Sequence, residues 1–206
     1  RGKTESWNGT NWTVQNDLNT NRYYLGGAGA SSTDALAFGG VEPSVSDKTE
    51  SWNGTNWTEV NDLNTARRSM GDAGASNTSA LAFGGNTPPG ANYRDQTESW
   101  NGTNWTEVGD LNTARQYMGG TGIKASALAF GGEPIPSNGA KTEQWNGSNW
   151  TETGDLNTGR TNVTGTGTTS AGLASGGYDG SNRRAIVESW NGTNWTETTD
   201  LNTARR

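Results

Sequence analysis

The chain has 206 residues, no Cys, no His and a net charge of −6, and only 29% of it is hydrophobic against 31 Gly and 10 Trp. Without Cys or His there can be no disulfides, thiol nucleophiles, iron–sulfur clusters or usual zinc and copper ligands. The commonest general base is missing too, so a conventional enzyme is not expected. The acidic balance, with no basic run longer than Arg67-Arg68 and Arg183-Arg184, argues against nucleic acid as a partner.

No apolar run approaches the length of a membrane span or resembles a secretion signal, so membrane insertion is not expected. Oxygen ligation of calcium or magnesium is the remaining metal chemistry, but the "DLN" segments lack the spacing of a calcium loop, and no cofactor or metal is expected. A chain that begins at Arg1 rather than Met reads as a soluble piece of something longer.

The first element from the N-terminus is "ESWNGTNWT", with Trp7 and Trp12 on either side of Asn8-Gly9-Thr10-Asn11. Asn-Gly favours the positive φ of a tight turn, so the segment is predicted to be a β-hairpin with a cross-strand Trp pair. The same segment returns with its first Trp at 52, 100, 145 and 190, in steps of 45, 48, 45 and 45. Glu5, Glu50, Glu98, Glu143 and Glu188 keep this period, as do Asp17, Asp62, Asp110, Asp155 and Asp200, and Arg22, Arg67, Arg115, Arg160 and Arg205. A Gly pair recurs at Gly39-Gly40, Gly84-Gly85, Gly131-Gly132 and Gly176-Gly177. The chain thus reads as one repeat domain, with a partial hairpin over 1–20 and repeats over 21–65, 66–113, 114–158 and 159–206.

Within the second repeat, four short strands are predicted: A in "RSMGDAGA", B in "SALAFGG", C in "TESW" and D in "NWTEV", separated by Gly, Asn, Asp, Ser and Thr. In strand B, Leu81 and Phe83 share one face and Ala80 and Ala82 the other, so the small face can admit a second sheet closely. A period near 45 with four strands per unit predicts an all-β chain. The architecture expected is a β-propeller of four-stranded antiparallel blades, five or more in the ring, with an incomplete blade at the chain ends. The open strand edge of that half-blade would be completed by a longer chain or a homo-oligomer.

Each buried Trp removes roughly 150–250 Å² from water, so Trp52, Trp57, Trp100 and Trp105 are expected to pack between blades rather than bind ligand. Gly84 and Gly85 are expected to be structural. Fivefold copying of Glu50, Asp62 and Arg67 points to ion pairs or turn capping rather than acid–base catalysis.

The order "ALAFGG…TESWNGTNW…LNTAR" resembles the kelch repeat, over essentially the whole chain. The resemblance implies a propeller and, commonly, protein–protein interaction. The chain departs from it with Trp where kelch repeats usually carry Tyr at the first aromatic position, and with a narrower gap to the second. The kelch-fold enzyme galactose oxidase needs a copper-binding His and a Tyr–Cys cross-link, so its activity does not carry over. Near-identical copies are similar in style to the propellers of phage tail and virion-associated proteins, which implies an extracellular or virion location.

Alternate turns of a four-stranded meander emerge on opposite faces. The C–D face repeats "NGTN", and its Asn53, Thr55, Asn56, Asn101, Asn104, Asn146 and Asn149 are candidates for multivalent recognition of a cell-surface glycan. The B–C loops "VEPSVSD", "NTPPGANYRD", "EPIPSNGA" and "YDGSNRR" all differ. Their Tyr93, Arg94, Tyr178, Asp179, Arg183 and Arg184 are candidates for binding a partner such as a virion protein. A purely architectural role is the third expectation.

Overall fold

A computed structural model describes residues 2–206, and these form strands and connections with no helix. β1 (Glu5–Trp7) and β2 (Trp12–Val14) make a two-stranded hairpin. Four antiparallel sheets follow, each of four consecutive strands. Blade 1 contains β3 (Gly26–Ser31), β4 (Asp34–Phe38), β5 (Thr49–Trp52) and β6 (Trp57–Val60), and blade 2 contains β7 (Gly71–Ser76), β8 (Ser79–Phe83), β9 (Thr97–Trp100) and β10 (Trp105–Glu107). Blade 3 contains β11 (Gly119–Ile123), β12 (Ser126–Phe130), β13 (Thr142–Trp145) and β14 (Trp150–Glu152), and blade 4 contains β15 (Thr164–Gly167), β16 (Gly172–Ser175), β17 (Val187–Trp190) and β18 (Trp195–Glu197). The arrangement is β-propeller-like, and the first hairpin is the C–D half of a further blade.

The A strands β3, β7, β11 and β15 pack on one another in that order, which places them innermost. Glycine makes this approach possible: a Cβ on Gly120 would lie 2.9 Å from the backbone nitrogen of Asp72 on the neighbouring strand. Strand A of blade 2 begins at Gly71, later than the predicted "RSMGDAGA", because Ser69 turns into the left-handed region at φ 56°. Tyr24, Tyr117 and Asn162 do the same in the other blades, at φ 57°, 54° and 53°. These four residues form a backbone ladder around the axis. Ser69 N donates to Tyr24 O, Tyr117 N to Ser69 O and Asn162 N to Tyr117 O, at 2.9, 2.9 and 2.7 Å.

The core lies between blades rather than within one. Leu36 and Phe38 of blade 1 pack against Ala80, Ala82, Trp100 and Trp105 of blade 2. Leu81 and Phe83 meet Ala127, Ala129, Trp145 and Trp150, and Leu128 and Phe130 meet Ala174, Trp190 and Trp195. The alternation of strand B is therefore what lets sheets stack: a Leu/Phe face fills the space that the next blade's Ala face leaves open. On blade 4 the Phe position is Ser175, and Leu173 is 41% exposed.

Candidate functional site

Each conserved-looking residue of the repeat has an internal partner in the complete blades. The first Trp closes its own blade: Trp52, Trp100, Trp145 and Trp190 donate Nε1–H to Ser32, Asn77, Lys124 and Thr169 O in the A–B turn, at 2.8 to 3.0 Å. The second Trp reaches the blade before: Trp57, Trp105, Trp150 and Trp195 donate to Thr4, Thr49, Thr97 and Thr142 Oγ1. Three of them also lie across a Phe ring, as Trp105 does on Phe38 at 4.9 Å.

Glu50 does not pair with Arg67 of the next unit. The buried ion pairs are Arg22–Glu50, Arg67–Glu98, Arg115–Glu143 and Arg160–Glu188, at 2.7 to 3.0 Å, and each joins the start of a blade to its strand C. Burial lowers the pKa of Arg67 and Glu98 offsets this. Asp62 acts as a cap, its Oδ1 accepting Thr49 N–H at 3.0 Å. Gly84 and Gly85 adopt φ of 63° and 103°. A Cβ at Gly85 would lie 2.7 Å from Arg68 O, so only glycine fits without strain.

The hairpin tips are exposed, but much of their hydrogen-bonding capacity is spent internally. Asn53 Oδ1 accepts from Thr55 N and Asn56 N, Asn101 Oδ1 from Thr103 N and Asn104 N, and Asn146 Oδ1 from Ser148 N and Asn149 N, all at 2.9 Å. Asn56 and Asn104 also accept Nδ2–H from Asn16 and Asn61 of the preceding unit, at 2.8 Å. Gly109 and Gly154 stand at that donor position before blades 3 and 4, so Asn149 and Asn194 receive no such bond.

The opposite face carries the B–C loops. Tyr93 and Tyr178 come together, with Pro134 and Ile135, around a cleft of about 250 Å³. Arg94, Asp179 and Arg184 are held within their own loops: Arg94 Nε donates to Thr87 Oγ1 at 2.7 Å, and Arg184 pairs with Asp179. Asp179 is pushed down to about 2, first by the backbone N–H groups of Asn182 and Ser181 and then by Arg184. Arg183 is exposed.

A second cleft on this face, of about 480 Å³, was not marked by the sequence reading. It lies between the loops of blades 1 and 2 and is lined by Tyr23, Val41, Pro43, Ser44, Val45, Arg68 and Pro88. Tyr23 and Tyr24 are 48% and 50% exposed, and their rings meet edge-on at 5.1 Å. Tyr24 in turn meets Tyr117 at 5.7 Å, extending the row across the axial mouth. A signal for these residues exists: the two positions after each motif Arg read Tyr23-Tyr24, Arg68-Ser69, Gln116-Tyr117 and Thr161-Asn162, varying as the loops do. Among the described residues no group of three His, Cys, Asp or Glu side chains gathers to hold a metal. The chain matches no protein-family model and no curated protein, so its likeness to known repeats rests on the shape of its blades and its own motifs.

Proposed function

We propose that this protein is a non-enzymatic binding propeller, of kelch-like type, whose recognition surface is the face formed by the B–C loops. The observation that carries this is the contrast between faces. Trp100, Trp105 and their equivalents in the following blades are buried in packing, whereas four dissimilar loops on a rigid scaffold border two clefts, each edged by tyrosine and one also by Arg68. A virion surface, as in a phage tail, or another extracellular setting suits such a display scaffold.

A second reading, glycan contact through the tips, is favoured by Asn149 and Asn194, whose side chains receive no amide hydrogen bond from the preceding unit because Gly109 and Gly154 stand there. The test is binding of the whole chain to a glycan panel and a panel of virion and cell-surface proteins. One variant has its loops 41–47, 86–95, 133–140 and 178–184 exchanged for Gly-Ser segments of equal length, and another has Asn146, Asn149, Asn191 and Asn194 changed to Ala. Loss only in the loop variant is expected. Loss only in the Asn variant favours the second reading, and no binding by the wild type would overturn both.

A further inference from the structure

We infer that the cleft between blades 1 and 2 is a subsite for a carboxylate-bearing sugar, a uronic-acid type residue, with Arg68 as the ligand of its carboxylate and Tyr23 as the platform for its ring. The inference rests on the loop face being the recognition surface and names a ligand class for it.

Arg68 is the starting point. Its side chain is half-buried, it forms no ion pair or hydrogen bond among the described residues, and its Nε is fully covered. The repeat does not require a cation here, since the equivalent positions hold Tyr23, Gln116 and Thr161. Glu42 and Asp47, the acids of the adjoining loop, make no ion pair with it. The two terminal nitrogens of Arg68 stay open to the cleft without a counter-charge, and a planar carboxylate can take them in two parallel bonds.

Opposite Arg68 across a backbone bridge stands Asn86, 1% exposed, whose Oδ1 also has no partner. Asn86 does not line the cleft: its Nδ2 donates to Gly90 O at 3.2 Å within its own loop, so it braces the backbone beside Arg68, and Arg68 is the charged donor that the cleft presents. The exposed Tyr23 ring and the apolar Val41, Val45 and Pro88 supply the flat wall for a pyranose face.

An acidic peptide fits less well. Extended peptides are held by an unpaired strand edge, but Tyr23 pairs with Val41, and Arg68 with Asn86, through both N–H···O bonds. The cleft is compact, about 480 Å³, a size typical of small-molecule sites. The net charge of −6 also disfavours attraction of a polyanion at long range, leaving a single short-range contact.

The test is an NMR titration of the whole chain with methyl glucuronoside, its neutral methyl ester and an acetylated Glu-Glu dipeptide at physiological salt. Shifts are expected at Arg68, Tyr23 and Asn86 with the uronoside, with at least tenfold weaker binding of the ester. Arg68→Gln should weaken uronoside binding about tenfold without changing the thermal midpoint, Arg68→Lys should fall between, and Tyr93→Ala, in the other cleft, should have no effect. Equal binding of the ester, an unaffected Arg68→Gln, or tighter binding of the dipeptide would each overturn the inference. If Arg68→Gln leaves panel binding intact while loop exchange abolishes it, the subsite falls and the loop-face reading stands; if loop exchange also has no effect, both fall.

Discussion

Asp72 and Glu98 show how much one carboxylate depends on where the fold puts it. Glu98 accepts from Arg67, and from Asn64 N and Nδ2, at 2.7 to 2.9 Å, so its buried charge is fully answered. Glu98→Gln leaves the Arg67 guanidinium buried without a counter-ion and should cost about 3–5 kcal/mol in urea unfolding. Lys48→Ala removes only the exposed Lys48–Glu59 pair and should cost less than about 1 kcal/mol. Asp72 occupies the inner strand where the other blades have Gly27, Gly120 and Gly165, and burial raises its pKa to about 6 from 3.8, only partly offset by the Gly27 N–H bond. A raised carboxyl pKa means the folded state prefers the neutral acid. The contribution of Asp72 to stability is therefore greatest below about pH 4, falls as pH rises from there to about 6, and is lost above that. Asp72→Asn should stabilise the chain by about 1–3 kcal/mol at pH 7, and the gain should vanish near pH 4.

Each C–D hairpin works as a clamp, and its two tryptophans have separate tasks. The first ties strand C to its own A–B turn, and the second locks its blade onto the preceding one. Trp105→Ala removes a buried ring from between Phe38 and the Thr49 hydroxyl and should cost about 3–5 kcal/mol, measured by denaturant midpoint. Trp12→Ala is chemically the same change at the same repeat position. Trp12 is 65% exposed, because no Leu/Phe face covers it, so the loss should be within about 0.5 kcal/mol. The connection into each of blades 1 to 4 is fastened the same way, as Asn64 Nδ2 bonds both Glu98 and the Trp105 carbonyl. The recurring Leu-Asn-Thr-x-Arg segment is thus an inter-blade strap, while the pair of residues after its Arg differs in every unit although Ser69, Gln116 and Thr161 are buried.

Across the whole molecule, stability is a sum of similar blade-to-blade interfaces, so protection should follow how many neighbours a blade has. β8 and β12 hold fully buried Leu-Ala-Phe runs with a blade on each side. β16 exposes Leu173 and carries Ser175, and Trp7 and Trp12 of the first hairpin are 46% and 65% exposed. Native-state amide exchange should accordingly be slowest in β8 and β12 and fastest in β1, β2 and β15. Equal protection throughout would mean that the array unfolds as a single unit.

The architecture was legible in the chain because its causes are local and repeated. Asn-Gly turns set the hairpins, Leu/Phe against Ala sets which face of strand B packs, and the 45-residue step sets one blade after another. Trp52, Trp100, Arg67 and Glu50, which the same period marks, are buried. What required the tertiary structure was partnership between units: which Glu answers which Arg, that the second Trp bonds a Thr in the preceding blade, and that Asn56 is engaged while Asn149 is not. The Tyr23 and Arg68 cleft was equally hidden, since Tyr23 and Arg68 belong to successive repeats and Pro88 to a separate loop, and only the stacking of blades brings them to one place.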